Sequence, residues 1–323
     1  MYDLFASFRP NGLIPALTHL LIPSLLPQSG ISSRVLDILP VSSLLFLEIQ
    51  NLQFQVEDSV ASILTAYCAK APLIKRLAFG DQITLHTVNC LPNFYQLNDL
   101  TLNFMLNNHA MNHDVLRRCS EIKSLSRMNF ISVVNGALFS STEPVQYVTF
   151  SRLLDLKVTG STQNAIALLR RIHLPRLQTV VFGLNSRYQT PLDTNTFAKF
   201  VQQVVEIGLI KSVMIDLDID RYTVNRFSWE AFDPFILHAC NHIRSLDLVL
   251  GTSNGYFPFL DFCKTLQWPE LRFLRLQCNI KSEDIKLSAS DQEPFRLVCP
   301  KLESLDIHIP YSHFPETARP GTG

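Results

Sequence analysis

Apolar side chains recur along this chain in a short frame of the form L-x-x-L-x-L. The frame occurs eleven times, and successive copies lie 28.5 residues apart on average. Self-similarity at a fixed period of this size is typical of proteins that are built from stacked repeats. The second leucine-type position of each copy, here named the anchor, falls at Leu20, Leu47, Leu77, Leu100, Leu125, Leu156, Val180, Val213, Leu246, Leu274 and Leu305.

The alternation around each anchor predicts a short β-strand. Leu or Ile stands three residues before every anchor, and the residue two after the anchor is apolar in ten of the eleven copies. In an extended chain, residues two apart lie on the same face, so these apolar pairs point into one core. Arg127 is the exception, and the neighbouring Met128 indicates a bulge or a slip of the frame in that copy. Prolines that stand five residues before the anchor mark the start of several strands, because proline cannot continue a helix: Pro15, Pro72, Pro175, Pro269 and Pro300.

Segments between the predicted strands carry apolar residues at helical spacing. Residues 58–68 are apolar at positions 60, 63, 64 and 67, which lie on one face of a helix. Residues 164–172 and 196–207 follow the same pattern. A unit of one strand and one helix cannot bury its own apolar face, so neighbouring units must stack to do so. The sequence therefore predicts an α/β fold made of repeated strand–helix units.

This frame resembles the leucine-rich repeat, and the long units with helices are similar to the ribonuclease-inhibitor-like and F-box-associated variants of that family. The resemblance covers residues 14–309. It implies a leucine-rich-repeat solenoid, or horseshoe, of about eleven irregular repeats, with parallel strands on the concave face and helices on the convex face. We expect residues 1–13 to be the remnant of a missing domain or a cap, and residues 310–323 to be a flexible C-terminal tail.

Three segments of seven residues nearly superpose: CSEIKSL from Cys119, CNHIRSL from Cys240 and CPKLESL from Cys299. Together with the irregular unit lengths, they resemble fungal F-box proteins that carry leucine-rich repeats. In that family an F-box binds the Skp1 subunit of a ubiquitin ligase, and the repeats hold the substrate. The resemblance implies a non-catalytic protein–protein recognition scaffold, the substrate-binding repeat region of an F-box-type ubiquitin-ligase adaptor.

An F-box is not found in the sequence, although residues 34–40 (RVLDILP) resemble the leucine-rich opening of one. Skp1 is therefore expected as a partner only if an F-box lies outside this chain. The alternative is a stand-alone leucine-rich-repeat protein, structural or regulatory, that is unrelated to ubiquitin ligases.

Composition narrows the class of partner and the compartment. The chain has 28 Lys+Arg and 28 Asp+Glu, so it lacks the basic excess of a general nucleic-acid-binding protein. Its longest uncharged apolar stretch, residues 12–27, is interrupted by Pro15 and Pro23 and is too short for a bilayer, which needs about 20 apolar residues. The seven cysteines include no C-x-x-C pair. We expect a cytoplasmic or nuclear protein that binds neither nucleic acid nor membrane.

Two groups of residues are candidates for metal chemistry. Asp216, Asp218 and Asp220 alternate like the start of a calcium loop, but the glycine that such a loop needs is missing. Their alternation with apolar residues predicts a solvated strand edge instead. His109 and His113 have the spacing of a metal pair on a helix, but their surroundings predict a polar surface loop.

The cysteines are candidates for thiol chemistry. Cys119, Cys240 and Cys299 occupy apolar positions of the frame, which predicts small buried hydrophobic side chains and not reactive thiols. The common phosphate-loop, dinucleotide-binding, serine-hydrolase and zinc-protease motifs are absent. We therefore expect no catalytic residues, no cofactor and no bound metal. A metal-dependent enzyme that uses the His109/His113 or Asp216/Asp218 groups is the less favoured alternative.

Residues one before, one after and three after each anchor form the exposed face of the predicted strands. In the family that this chain resembles, that concave face usually binds protein. An aromatic residue and an arginine among acidic residues have the composition of a protein-binding hot spot. The simpler reading is that they are only the polar alternates of strands. The candidate protein-binding residues are Asp216, Asp247, Phe273, Arg275, Asp306 and His308.

Overall fold

The computed structural model describes residues 17–22, 42–50, 57–80, 85–104, 113–132, 139, 146–185, 194–218, 229–250, 267–278 and 289–308. The chain forms two compact units, Met1–Leu153 and Leu154–Gly323, here named unit 1 and unit 2. Each is an α/β unit with a run of parallel strands. The predicted N-terminal segment, the F-box-like residues 34–40 and the predicted C-terminal tail lie outside the described residues.

Unit 1 contains five strands of one parallel ladder, with helices between them. In chain order its elements are β1 (His19–Ile22), β2 (Phe46–Ile49), α1 (Glu57–Lys70), β3 (Arg76–Phe79), α2 (Leu85–Asn89), a 3-10 helix (Leu91–Asn93), β4 (Asp99–Phe104), α3 (His113–Ser120), β5 (Arg127–Ser132) and the short β6 (Val148–Thr149). Strands β1 to β5 pair in sequence order.

Unit 2 contains six strands of a parallel ladder. Its elements are β7 (Asp155–Gly160), α4 (Thr162–Leu169), the short β8 (Ile172–His173), β9 (Thr179–Asn185), α5 (Thr194–Glu206), β10 (Ser212–Asp218), a 3-10 helix (Trp229–Phe232), α6 (Asp233–Ala239), β11 (Ser245–Leu250), β12 (Phe273–Cys278), α7 (Ala289–Val298) and β13 (Ser304–His308). The ladder runs β7-β9-β10-β11-β12-β13.

Ten of the eleven predicted anchors lie on these parallel strands, and neighbouring anchors are direct partners within each unit. In unit 1, Leu47 pairs with Leu20 and with Leu77. In unit 2, Leu246 pairs with Val213 and with Leu274. Register is specified this strictly because a slip of one residue would turn every apolar side chain to the solvent face. The prediction of one strand for each of these ten copies is confirmed.

The anchor predicted at Leu125 is wrong, and the slip of the frame that Arg127 and Met128 indicated is confirmed. Leu100 of β4 pairs with Met128 of β5, so Met128 is the anchor and Leu125 takes the position three residues before it. Met128 and Phe130 are buried, and the outward residues of β5 are therefore Arg127, Asn129 and Ile131. The physical reason is that Ile122, Leu125 and Met128 are buried apolar residues spaced three apart. The L-x-x-L part of the frame therefore fits Ile122 and Leu125 as well as Leu125 and Met128, and the predicted anchor stands three residues too early.

A repeated pair of backbone hydrogen bonds starts each ladder strand that follows another ladder strand of its own unit. The carbonyl of Leu45 accepts from the N–H groups of Lys75 and Arg76 at 2.8 and 3.1 Å, and the carbonyl of Arg244 accepts from Arg272 and Phe273 at 2.8 and 3.1 Å. One oxygen can accept both bonds because it has two lone pairs. The acceptor always stands two residues before an anchor: Thr18, Leu45, Lys75 and Asn98 in unit 1, and Leu154, Gln178, Lys211, Arg244 and Arg272 in unit 2.

The three predicted helices are confirmed as α1, α4 and α5, although Ile172 belongs to β8. Helix α4 begins sharply because the Ser161 hydroxyl accepts a hydrogen bond from the N–H of Asn164 at 3.1 Å, which caps the helix N-terminus. Helices lie against the inward side of the strands: in unit 2 the Phe182 ring of β9 meets the Phe200 ring of α5 edge-on at 4.8 Å. The core of each unit therefore lies between its strands and its helices, and the outward side chains are left on the other side of the sheet.

Candidate functional site

The parallel ladder of unit 2 places outward side chains of successive strands in rows. Asp247 of β11 is the direct partner of Arg275 of β12, and Arg275 is the direct partner of Asp306 of β13. Neighbouring strands lie roughly 4.8 Å apart, so side chains in such a row are within reach of one another. We name Asp247, Arg275 and Asp306 the acidic row.

Arg275 stands at the centre of the acidic row and is held from three sides. Its Nη1 lies 3.6 Å from Oδ2 of Asp247, and its Nε lies 3.4 Å from Oδ2 of Asp306. Its Nη2 donates a hydrogen bond to Oε1 of Gln277 at 2.7 Å. The Arg275 side chain is still 46% exposed. Its position is therefore fixed by neighbours while its surface remains open to a ligand.

Asp247 is the most enclosed member of the row, with a side chain 22% exposed. Burial raises the pKa of its carboxyl group, Arg275 lowers that pKa, and the carboxylates of Asp216 and Asp306 raise it further. Its Oδ1 atom is buried and accepts no hydrogen bond from the described residues. Burial is the largest of these causes, and together with the two neighbouring carboxylates it keeps the pKa of Asp247 raised although Arg275 lowers it.

The remaining predicted binding residues flank the acidic row. Phe273 begins β12 and is 47% exposed, which is unusual for a large aromatic side chain. Asp216 lies on β10, where it is close enough to raise the pKa of Asp247. His308 is the last residue of β13, but its side chain lies outside the described part of the structure. Five of the six predicted side chains thus lie on one face of unit 2.

Not every outward position that the frame predicts is exposed. Val249 and Ala78 are only 9% exposed, and Asn103 is equally buried. Val249 lies between Asp216 and Gln277 on the adjacent strands, and these longer side chains cover it. Small side chains in a row of larger ones therefore contribute little to the accessible face.

Two serines predicted on the outward face, Ser124 and Ser126, lie before β5 because of the register slip. The Ser124 hydroxyl donates to the carbonyl of Leu97 at 2.7 Å, and the Ser126 hydroxyl donates to the carbonyl of Asn98 at 3.2 Å. They stabilise the turn that leads into the strand, and Arg127, Asn129 and Ile131 take their place on the face.

The candidate metal residues are not brought together in the described residues. His113 is the first residue of α3 and not part of a loop, so the loop predicted there is wrong at this position. A helical turn forms because Asp114 and the apolar Val115 and Leu116 start an amphipathic segment. His109 and Asp220 lie outside the described residues. Asp216 lies on β10 between the buried Ile215 and Leu217, as the strand interpretation predicted.

The three cysteines at apolar positions are buried, which confirms that part of the prediction. Burial raises the pKa of the Cys119 thiol to about 12 and that of Cys299 to about 11. Burial also raises the pKa of Cys240. Thiols with raised pKa values hold their protons at neutral pH and are poor nucleophiles. Cys119, however, stands nine residues before the true anchor Met128, so it is not equivalent to Cys240 and Cys299.

The frame did not identify the charged groups that border the acidic row. Gln277 was recognised as outward but not as a partner of Arg275. Arg272, two residues before an anchor, pairs through Nη1 with Oε1 of Glu303 at 3.0 Å, and Glu270 pairs with Lys301. These pairs could have been predicted from the sequence, because residues at equivalent positions of the last two copies have opposite charges: Glu270 with Lys301, and Arg272 with Glu303.

Within the described helices, none combines the length and the apolar character that crossing a bilayer requires. No protein-family model matches the chain. No curated protein matches it either.

Proposed function

We propose that this chain is a non-catalytic protein-recognition scaffold and that its protein ligand contacts the outward face of unit 2. The observation that carries the proposal is Arg275, which is fixed between Asp247 and Asp306 beside the exposed ring of Phe273. Arginine and aromatic side chains are enriched among the residues that dominate binding energy at protein interfaces.

The fixed position of Arg275 favours binding because ordering a flexible side chain opposes association. Immobilising one long side chain costs roughly 0.5–1.5 kcal/mol at an interface. The bonds from Arg275 to Asp247, Asp306 and Gln277 restrict this side chain before any ligand arrives. A partner therefore meets a preorganised guanidinium and an apolar ring on the same strand.

The charge of this face indicates the chemistry of the partner. Among the described outward side chains of unit 2, Asp155, Asp216, Asp247 and Asp306 are acidic, and only Lys157 and Arg275 are basic. The excess of acids favours a protein surface or peptide that presents Lys or Arg together with an apolar group for Phe273. Binding of such a partner weakens as salt is added, because salt screens exposed charges.

The proposal includes a fold of the leucine-rich-repeat type, a horseshoe with strands on the concave face and helices on the convex face. Two observations support this fold: anchors of neighbouring strands are direct partners, and one carbonyl two residues before an anchor accepts both hydrogen bonds from the start of the next strand. Helix α5 packs on α4 and on α6, as helices of stacked repeats do.

A more specific version assigns the chain to an F-box-type ubiquitin-ligase adaptor in the cytoplasm or nucleus, with the repeats as the substrate-binding region. The resemblance of its repeat segments to fungal F-box proteins supports this version. Purification of the full-length gene product from its native cells should recover Skp1 and a cullin. Recovery of neither, together with the lack of an F-box in the upstream reading frame, would leave the stand-alone leucine-rich-repeat protein.

The recognition proposal itself is tested by proximity labelling in native cells. Three forms of the full chain are compared at equal expression: the wild type, the double variant Phe273→Ser/Arg275→Glu, and Arg76→Glu as a matched control on unit 1. We expect at least one protein to be labelled by the wild type and by the control but not by the double variant. Identical labelling by all three forms would refute binding through this face.

A further inference from the structure

Two half-buried cysteines of unit 1 lie near each other where α1 meets the end of α2. The Sγ atom of Cys68, in the last turns of α1, lies 3.7 Å from the carbonyl oxygen of Cys90. Cys90 directly follows α2, and its own Sγ atom lies 3.7 Å from the carbonyl oxygen of Ala61 and 3.4 Å from Oγ1 of Thr65. Each thiol therefore contacts the segment that carries the other.

The helix geometry places these contacts on a single face of α1. Ala61, Thr65 and Cys68 are spaced by four and then three residues, so they follow one another along one side of the helix. The Cys90 thiol rests on the turn that is next to Cys68. From this geometry we propose that Cys68 and Cys90 are a disulfide-forming pair, which oxidation converts to a covalent link between α1 and the end of α2.

The other described cysteines lack this arrangement. Cys119, Cys240 and Cys299 are buried. Cys68 and Cys90 are each partly exposed, so a small oxidant has access to them. Cys119 therefore serves as an internal reference within unit 1: it is a thiol in the same unit without solvent access.

The proposed oxidant is a peroxide, and the reaction balances in two steps. Burial, and after it the neighbouring Cys90, raises the pKa of Cys68 to about 12, so Cys68 holds its proton at neutral pH. Cys90 gives up its proton as its sulfur attacks the peroxide, the O–O bond breaks, Cys90 becomes a sulfenic acid, and the hydroxide that leaves takes up that proton to form the first water. The sulfur of Cys68 then attacks the sulfur of Cys90, the S–O bond breaks, and the Cys68 proton leaves with the hydroxyl group as water. Two thiols and one hydrogen peroxide give one disulfide and two waters.

Hydrogen peroxide treatment of the purified full chain tests the proposal. After alkylation of the remaining thiols and tryptic digestion without reductant, mass spectrometry should find the Cys68 and Cys90 peptides joined, with the loss of two hydrogens, and separated again by dithiothreitol. Trypsin separates the two residues in sequence because Lys70, Lys75 and Arg76 lie between them. Raising the pH should speed the closure, since the Cys68 thiol must give up its proton.

The variants Cys68→Ser and Cys90→Ser should each abolish the joined peptide, and Cys119→Ser should leave its yield unchanged. The wild-type result does not depend on how well any variant folds. Peptides that carry Cys68 and Cys90 separately after peroxide, either alkylated or oxidised to sulfinic acid, would overturn the proposal. Links from either residue only to another cysteine, or only to a second copy of the chain, would overturn it equally.

Discussion

The two units build the same ladder but present different outward faces. In unit 1 one arginine is held between two neighbours: Arg76 lies 3.4 Å from Asp99 of the next strand, and its guanidinium stands 4.8 Å above the ring of Phe46 on the preceding one. The described outward charges of unit 1 are Glu48, Asp99, Arg76 and Arg127, and they cancel.

Unit 2 differs because its acids outnumber its bases around Arg275. One guanidinium lies between Asp247 and Asp306, and Asp216 adds a third carboxylate nearby. Separate sets of residues therefore specify the ladder and the outward face. Inward anchors and backbone carbonyls determine the ladder, so the outward residues can change from a set whose charges cancel to an unbalanced one without a change of fold.

Truncation of an anchor should cause the largest loss of folding stability, and this loss should be similar in the two units. Leu77→Ala in unit 1 and Leu274→Ala in unit 2 each remove a fully buried side chain from the core. Each should lower the free energy of unfolding by about 2–5 kcal/mol, because the lost contacts add to the cost of a cavity. Urea denaturation followed by circular dichroism measures this. A loss below about 0.5 kcal/mol at either site would mean that the anchors of that unit do not form its core.

The second prediction concerns the irregular copy in unit 1. Met128→Ala should cost about 2 kcal/mol, near the lower end of the range for core truncations, because methionine is flexible and its neighbours adapt to the gap. Arg127→Ala, one residue earlier and exposed, should change the free energy of unfolding by less than about 0.5 kcal/mol. The same denaturation experiment decides: a larger cost at Arg127 than at Met128 would restore the register that the sequence predicted.

Much of the ladder was predictable because inward positions obey a strict alternation and recur at similar spacing. The copy at β5 failed because the serine and leucine residues around Leu125 matched two other copies by residue type. Spacing was the better guide: Met128 lies 28 residues after Leu100 and 28 residues before Leu156. Helices α2 and α6, of 5 and 7 residues, are too short to give a readable helical period.

The candidate face was predictable as a set of positions, but its internal pairing was not. Outward residues follow from the alternation, which placed Asp247, Arg275 and Asp306 on one side. Which acid meets the arginine, and through which atoms, depends on side-chain rotamers, and no local sequence pattern encodes these. The backbone carbonyls that accept the paired hydrogen bonds could not be predicted from residue type either, because Thr, Leu, Lys, Asn, Gln and Arg all occur at the accepting position.

The third prediction compares the two arginines. Arg76→Ala and Arg275→Ala should each lower the free energy of unfolding by no more than about 1 kcal/mol, because both side chains are about half exposed and water screens their ion pairs. The loss at Arg275 should shrink in about 1 M salt, which screens the repulsion among the remaining acids. The loss at Arg76 should persist in part, because its contact with Phe46 is not a simple ion pair. Equal salt dependence of the two losses would contradict the difference between the faces.

The smallest effect is the pH dependence that Asp247 contributes. Because its pKa in the folded state is raised above the ordinary value of 3.8, the unfolded chain loses this proton first as the pH rises. Between those two pKa values the folded state binds more protons than the unfolded state, so stability falls with rising pH and stays reduced above the window. Asp247→Asn does not titrate, and it should therefore be more stable than the wild type at pH 7, with a gain that diminishes as the pH falls towards 3.8.

Asp99→Asn on unit 1 is the matched control, since it also removes a carboxylate paired with an arginine. Asp99 lies in register between Arg76 and Arg127 of the adjacent strands, whereas Asp247 has the carboxylates of Asp216 and Asp306 nearby. Its substitution should therefore give no gain at pH 7. Thermal melts of both variants and the wild type between pH 4 and pH 7, roughly the range in which stability is usually highest, measure the difference. If both variants or neither were more stable than the wild type at pH 7, the acids around Arg275 would not affect stability. The two faces would then differ in charge but not in energy.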